Sequence, residues 1–271
     1  MNGSDGLLEI ARGAAAEGSR LLTTAGPGEV RSKGDRDFVT DLDLRIQNSI
    51  RTSLSRATPD IGFLGEEQDA SDGDAALEYR WVLDPIDGTS NFIHGLPLCA
   101  VSLALTHEDV PLLGVIAAPF LNLEYYASTG NGAFCNGHRI KASHTQSLGQ
   151  AIVSIGDYAV GENADEKNRR RLALTTALAT HVERVRMFGS AALDLAWVAE
   201  GRTDACVLLT NKPWDMAAGV IIARESGAVV TDSGGKQHSV NSRHTVATSP
   251  ALAKPLLDLV AGALAGYAGE S

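Results

Sequence analysis

Apolar positions recur first at helical spacing. Leu7, Leu8, Ala11, Ala14, Ala15, Gly18, Leu21 and Leu22 share one face of a 3.6-residue repeat, and Glu9, Arg12, Glu17 and Arg20 interrupt it, so the chain opens on an amphipathic helix. The Ala25-Gly26-Pro27-Gly28-Glu29 stretch breaks it. Residues 31–37 are polar and read as a mobile loop. A second helix, capped by Thr40 or Asp41, carries Leu44, Ile46, Ile50 and Leu54 on its apolar side and ends before Pro59. The pattern then shortens. A strand is predicted at 61–64, another runs through Trp81-Val82-Leu83, and 100–106 with 112–118 form a hairpin. Residues 124–128 add a strand, and Asn131-Gly132 and Asn136-Gly137 mark turns.

From about residue 150 strands and helices alternate. Strands are predicted at 151–155, 182–187, 205–209 and 228–231, and helices at 167–179, 191–200, 216–225 and 252–264. The change predicts two halves: 1–148, of helices and antiparallel strands, and 149–271, of alternating α and β.

With 271 residues, 44% of them hydrophobic, the chain can bury a substantial core in one large domain or two closely packed ones. Its net charge of −10 repels phosphate backbones and anionic lipid, so neither nucleic acid nor a membrane surface is an expected partner. A small anionic substrate stays open if cations are recruited locally. Cys99, Cys135 and Cys206 lie far apart, which fits a reduced, cytoplasmic protein. The first residues have no basic segment of a signal peptide, and no run approaches the roughly 20 apolar residues of a membrane helix.

The unusual feature is where the acids fall. The apolar run Trp81-Val82-Leu83 ends in Asp84, and Asp87-Gly88-Thr89 follows three residues later. Burying unpaired carboxylates is expensive, so these acids sit either in water or around a cation. Glu66-Glu67 also follows a predicted strand, Asp215 opens a predicted helix after Trp214, and Asp41 and Asp43 open another. Strand ends converge in sheet proteins, and acids distant in sequence can meet there. Carboxylate oxygens without a His/Cys cluster suit Mg²⁺ rather than zinc. The glycine at 88 permits a turn whose N–H groups bind an anion, beside a Thr89 hydroxyl able to orient water. Metal ions, an anion nest and a hydroxyl point to phosphoester hydrolysis, and no GxxxxGK[ST] run indicates a P-loop.

Gly65-Glu66-Glu67, Asp84-Pro85-Ile86-Asp87-Gly88-Thr89 with Asn91-Phe92, and Trp214-Asp215-Met216-Ala217-Ala218-Gly219 together resemble the inositol monophosphatase family; Val39 to Asp43 and Gly189-Ser190-Ala191-Ala192 fall where that family has counterparts. The resemblance implies an αβαβα sandwich, a homodimer, and a Mg²⁺-dependent, lithium-sensitive phosphatase of small phosphate monoesters. It implies one Mg²⁺ on Glu66, Asp84 and the Ile86 carbonyl, a second on Asp84, Asp87 and Asp215, and a third, weaker ion leaning on Glu66. Thr89, oriented by Asp43 and with Glu66 nearby, would position the attacking water, and Gly88 and Thr89 would hold the phosphate. Asp87, Ser190, Ala191, Leu208 and Asp215 would meet the substrate. Displacement would be in line, without a covalent intermediate.

Two positions depart from the family pattern: Ser90 stands where Thr is common, and Leu208 where inositol-cleaving members carry an acid that bonds a ring hydroxyl. Gly156-Asp157-Tyr158 and Thr210-Asn211-Lys212 are expected to face substrate, where Asp157, Asn211 or Lys212 could replace that contact, or else to be solvated loops; His94 is expected at the pocket rim or facing solvent rather than as a base. Inositol 1-phosphate or a related polyol or sugar phosphate is the leading substrate. Histidinol phosphate, fructose bisphosphate and 3′-phosphoadenosine nucleotides are alternatives within the family, and a non-catalytic cation-binding relative is the alternative from another class.

Overall fold

A computed structural model of the chain describes residues 4–67, 77–239 and 242–265. The first helix, α1 (Ser4–Thr24), buries Ala11, Ala14, Ala15 and Leu22 as its periodicity demands. It packs on α2 (Asp41–Ala57), which Thr40 enters with a capping box: the Thr40 side chain accepts from the Asp43 N–H at 3.3 Å, and Asp43 accepts from the Thr40 N–H at 2.8 Å. Such a cap contributes about 1 kcal/mol. Leu42, rather than the expected Leu44, joins Ile46, Ile50 and Leu54 in the core, because the helix is turned so that Asp43 is buried on its adjoining side.

Residues 31–37, expected to be a mobile loop, instead form most of a hairpin. Strands β1 (Val30–Gly34) and β2 (Asp37–Thr40) pair antiparallel, with Val30 opposite Thr40. Both faces of β1 are exposed, so its backbone pairing leaves no alternation of apolar and polar residues to read.

A seven-stranded sheet follows in chain order: β3 (Gly62–Gly65), β4 (Tyr79–Asp87), β5 (Ala100–His107), β6 (Val110–Ala118), β7 (Leu123–Ser128), β8 (Gly132–Cys135) and β9 (His138–Arg139). Only the β3–β4 pair is parallel. Alternation sends Trp81, Leu83, Leu103 and Val115 to the α1/α2 side and Val82, Ala104, Ile116 and Tyr125 to the other. The end of β4 runs directly into a single turn of helix, α3 (Thr89–Ile93).

The rest of the chain alternates as expected, through β10 (Ile152–Ile155), α4 (Ala164–His181), β11 (Arg184–Arg186), α5 (Ala191–Glu200), β12 (Ala205–Leu208), α6 (Pro213–Glu225), β13 (Val229–Thr231), β14 (Thr245–Thr248) and α7 (Ala253–Leu264). The second sheet has the order β11-β10-β12-β14-β13, with β10, β11 and β12 parallel and β14 antiparallel to both neighbours. The interior strand β14 is not predicted from the sequence, since Thr245-Val246-Ala247-Thr248 is short and half polar although fully buried.

Helices α5 and α6 fill the space between the sheets, while α4 and α7 cover the outer face of the second. The layers therefore run α, β, α, β, α, as expected. Helix α6 lies directly on the large sheet: a Cβ at Gly114 would stand 2.7 Å from the Ala218 Cα, and one at Gly219 would stand 2.5 Å from Leu195 of α5. These absent side chains let backbone meet neighbour at a separation no larger residue allows. Among the described residues no helix is long and apolar enough to cross a membrane.

Candidate active site

The C-terminal end of β4 and the first turn of α6 meet. Ligand oxygens of Asp84, Asp87 and Asp215 lie within 4.8 Å of one another. Asp84 and Asp87 are buried and Asp215 is half-buried. Burial raises the Asp84 carboxyl well above its usual range, and Glu66, Asp87, Asp215 and Asp43 push it the same way. Asp215 is raised well above its range by burial, then by Asp87 and Glu66, with Lys212 and Lys33 opposing. Asp87 is raised by burial only to about 6, because the Ser190 hydroxyl and two backbone N–H groups offset it. A divalent cation among these oxygens relieves what burial and mutual repulsion impose. The donor set is all carboxylate, with no imidazole or thiolate in the cluster, and it fits a hard cation such as Mg²⁺.

The expected neighbours divide. Asp43, on α2, is raised by burial against the Thr40 hydrogen bonds, and its Oδ1 receives the Thr89 hydroxyl at 3.4 Å. That hydroxyl also reaches the Ile86 carbonyl at 2.9 Å. Both protein partners are acceptors, so the single hydroxyl proton is directed at the protein and the oxygen lone pairs stay available to a water O–H. Glu66 comes beside Asp84 because parallel β3 sets Gly65 opposite Leu83, and the Glu66 N–H donates to the Leu83 carbonyl at 3.1 Å. Its carboxylate lies outside the three-acid cluster and holds Lys33 at 3.0 Å.

Lys33, which the sequence reading did not single out, reaches in from β1 and also bonds Glu67 at 2.5 Å. Burial lowers this ammonium, but the two glutamates more than offset it and leave it raised. A lysine in an exposed polar stretch carries no sequence signal of such a role.

Gly88 has φ 89° and ψ 37°, and a Cβ there would stand 2.7 Å from the Leu98 carbonyl oxygen. Only glycine fits both the conformation and the space. It starts α3, whose first N–H groups have no acceptor within the helix. Asn91 fixes this turn to the other half of the chain, its Nδ2 donating to the Leu98 and Phe188 carbonyls at 2.8 and 2.7 Å.

Ser190 and Ala191, expected to meet substrate, are turned to Asp87. The Ser190 hydroxyl donates to Asp87, the Ala191 N–H donates at 3.2 Å, and the Ala192 N–H at 2.9 Å. The N-terminus of α5 thus orients an acid from β4.

Leu208, expected to face the leaving group, is 3% exposed and packs in the core between α5 and the second sheet. The last residue of β12 sends its side chain inward, and its Cδ2 lies 3.4 Å from where a Cβ at Gly156 would be. Asn211 is also turned away: it donates to the Ser242 carbonyl at 2.6 Å and accepts from the Thr245 hydroxyl at 2.9 Å. Lys212 is exposed over the Trp214 ring, 5.8 Å from its centroid. Asp157 does reach the cleft, with an Oδ2 3.4 Å from the Cβ position of Gly189. Burial raises Asp157 and Arg171 opposes that shift. His94 sits on the exposed surface, its Nδ1 2.8 Å from the Ser90 carbonyl.

Residues 5–265 match the model of the inositol monophosphatase family. The chain belongs to that family. It is 38% identical over 218 residues to a fructose-1,6-bisphosphatase/inositol-1-monophosphatase of Thermotoga maritima, covering 80% of this chain and 79% of that one. It is 37% identical over 229 residues to a putative Nus factor SuhB of Neisseria meningitidis, covering 84% and 86%. The solved structure of a Thermotoga maritima IMPase superposes with a TM-score of 0.85 at 33% identity, covering 98% of this chain and 99% of that one. As a member of the inositol monophosphatase family, the protein is a phosphoric monoester hydrolase of a metal-dependent class.

Proposed function

We propose that the protein hydrolyses a small phosphate monoester, inositol 1-phosphate or a related polyol or sugar phosphate, with Mg²⁺ and without a covalent intermediate. The observation that carries this reading is the meeting of Asp84, Asp87 and Asp215 within 4.8 Å beside the Thr89 hydroxyl. Asp84, Asp87, Asp215, Glu66 and the Ile86 carbonyl would hold two Mg²⁺ ions, Asp84 serving both, with a third leaning on Glu66. When bound, the cations supply Lewis acidity to water and charge to the departing oxygen.

The chain's own groups do the rest. Thr89 Oγ1 directs its proton to Ile86 or Asp43 and accepts from the attacking water. The Gly88 and Thr89 N–H groups receive phosphoryl oxygens. Asp87 is held in one orientation by the start of α5. Lys33 occupies one oxygen of Glu66 and leaves the other to serve a cation.

The leaving group then lies against the second half, where Asp157 rather than Leu208 offers the polar contact. The name of the Thermotoga relative favours testing fructose 1,6-bisphosphate beside inositol 1-phosphate. Asp157 keeps an amine-bearing ester such as histidinol phosphate in the panel. Phosphate release from this panel, with Mg²⁺ against chelator, is the test; no release from any monoester at saturating Mg²⁺ makes the protein a non-catalytic relative.

The Nus factor name of the Neisseria relative favours a second reading, a role in a transcription complex. The net charge of −10 argues that such a role runs through protein rather than direct nucleic-acid contact, and a salt-dependent filter-binding assay with RNA decides. A cytoplasmic homodimer, divided internally near residue 148, completes the reading; Cys99, Cys135 and Cys206 are free and buried, which suits a reducing compartment.

A further inference from the structure

Helix α6 has a second face, turned away from the acid cluster. Its first turn gives Asp215 to the cleft, but Met216, Ala217 and Val220 line a separate cavity of about 580 Å³, together with Leu64 and Val82 of the large sheet. Glu66, Asp84, Asp87, Thr89 and Asp215 take no part in its walls. The size falls within the range of about 300–1,000 Å³ typical of small-molecule sites.

The charges around this cavity do not cancel. At the mouth Arg80 is paired with Asp109, and Lys212 and Glu108 are both exposed to water. Deeper along α6, Arg224 is half-buried in the wall, and its Nη2 donates to the His238 carbonyl at 2.6 Å. Burial lowers this guanidinium, and among the described residues no carboxylate acts to raise it. His238 adds no second cation at neutral pH, since burial and Arg224 push its imidazole down to about 4. The result is a chamber that is apolar along Leu64, Val82, Met216 and Val220 and polar along Thr106, Gln237 and Ser239, with one planar guanidinium in its wall that no described carboxylate pairs. A guanidinium fork presents parallel N–H donors matched to the two oxygens of a carboxylate. Desolvation strengthens such a pair, and an apolar ligand body gains from leaving water.

We propose that this cavity binds a small monocarboxylate with an apolar or aromatic body, its carboxylate on Arg224 and its body against Leu64, Val82, Met216 and Val220. The site is independent of the phosphatase reading, because it shares no residue with the acid cluster. Its ligand would sit on the same helix that delivers Asp215.

The probe is 2-naphthoate, with 2-naphthamide as its uncharged isostere, titrated calorimetrically into the full-length protein. The expected result is one saturable site per chain, unaffected by saturating inorganic phosphate and Mg²⁺. The amide and the Arg224→Met variant should each bind at least about tenfold more weakly, the effect of losing one charge-assisted contact. Ala217→Phe, which fills the chamber without touching Arg224, should abolish binding. Thermal melts report whether each variant is folded, and the amide comparison needs no variant. Absence of saturable binding overturns the proposal. So do equal affinity for the amide, displacement by phosphate with Mg²⁺, or undiminished binding to a folded Ala217→Phe protein.

Discussion

The two walls of the catalytic cleft are built on opposite principles. The wall formed by the end of β4 and the start of α6 concentrates like charges: Asp84, Asp87 and Asp215 crowd within 4.8 Å, and Glu66 and Asp43 add to the repulsion. The wall formed by the ends of β10 and β12 is ordinary protein interior, with Leu208 buried, Asn211 tied to Ser242 and Thr245, and Asp157 offset by Arg171. The first wall is incomplete without a cation; the second is stable as it stands. Chemistry is therefore tightly constrained on one side, whereas the side proposed to meet the leaving group can vary while the fold survives.

The largest expected effect breaks the first wall. Asp84→Asn should lower kcat by at least about 10³-fold, the scale of losing a preorganised charge-stabilising group. In chelator the same variant should melt higher than wild type, because it removes one of several repelling charges. Full turnover at saturating Mg²⁺ removes Asp84 from the shared position. Thr89→Ala should come next, with kcat about 10²-fold lower and phosphate still bound through backbone N–H groups. Lost phosphate binding at unchanged kcat would reverse the roles given to hydroxyl and backbone.

Leu208→Glu probes the second wall. A carboxylate placed in that core without a partner should cost about 2–4 kcal/mol in denaturant unfolding. A variant as stable as wild type, and better with inositol 1-phosphate, means that Leu208 opens onto the leaving group after all. Asp157→Asn should leave stability nearly unchanged and shift kcat/KM between substrates of different hydroxylation by about 1–3 kcal/mol. Identical preferences in both proteins exclude Asp157 from the substrate contact.

The smallest effect lies behind the second wall, at His238. Its Nε2 lies 2.8 Å from the Thr245 hydroxyl and 3.3 Å from Asn211 Nδ2. The folded protein holds this imidazole neutral down to about pH 4, while the unfolded chain protonates it near 6.5. The unfolded state therefore binds more protons between those values, so the stabilisation is complete above about pH 6.5 and is lost as pH falls toward 4. The stability difference between wild type and His238→Gln should change across that window and be flat above it. A constant difference from pH 4 to 7 rules out the assignment.

The contrast between the walls also decides what could be read in the sequence. Asp84 and Asp87 were legible because acids at the end of an apolar strand violate the usual pattern, and Gly88 and Pro85 fix the backbone around them. The helices α1 and α2 and the alternating second half were legible because they follow their periodicities, whereas the layering was legible only through the family resemblance. Lys33 was not, because β1 is exposed on both faces and its residues look like any polar loop. The direction of Leu208 was not legible either. An alternating strand fixes which residues share a face, but which face closes over the core at the last residue depends on Gly156 and α5, distant in sequence. Nor does any local pattern reveal that the start of α5 serves Asp87 rather than a ligand.

The close seat of α6 on Gly114 gives the acid cluster the character of a gauge with a fixed anvil. Asp84 and Asp87 stand on the sheet, Asp215 stands on the helix, and the gap between the jaws is set where Ala218 rests on a residue without a side chain. One methyl at position 114 would be a shim: it lifts the helix and widens the jaws while every acid keeps its identity. The calibre of the cation the cluster prefers is thus adjustable from a position that never touches it. A Gly114→Ala protein that folds but ranks Mg²⁺, Mn²⁺ and Ca²⁺ as wild type does would show the jaws to be set elsewhere.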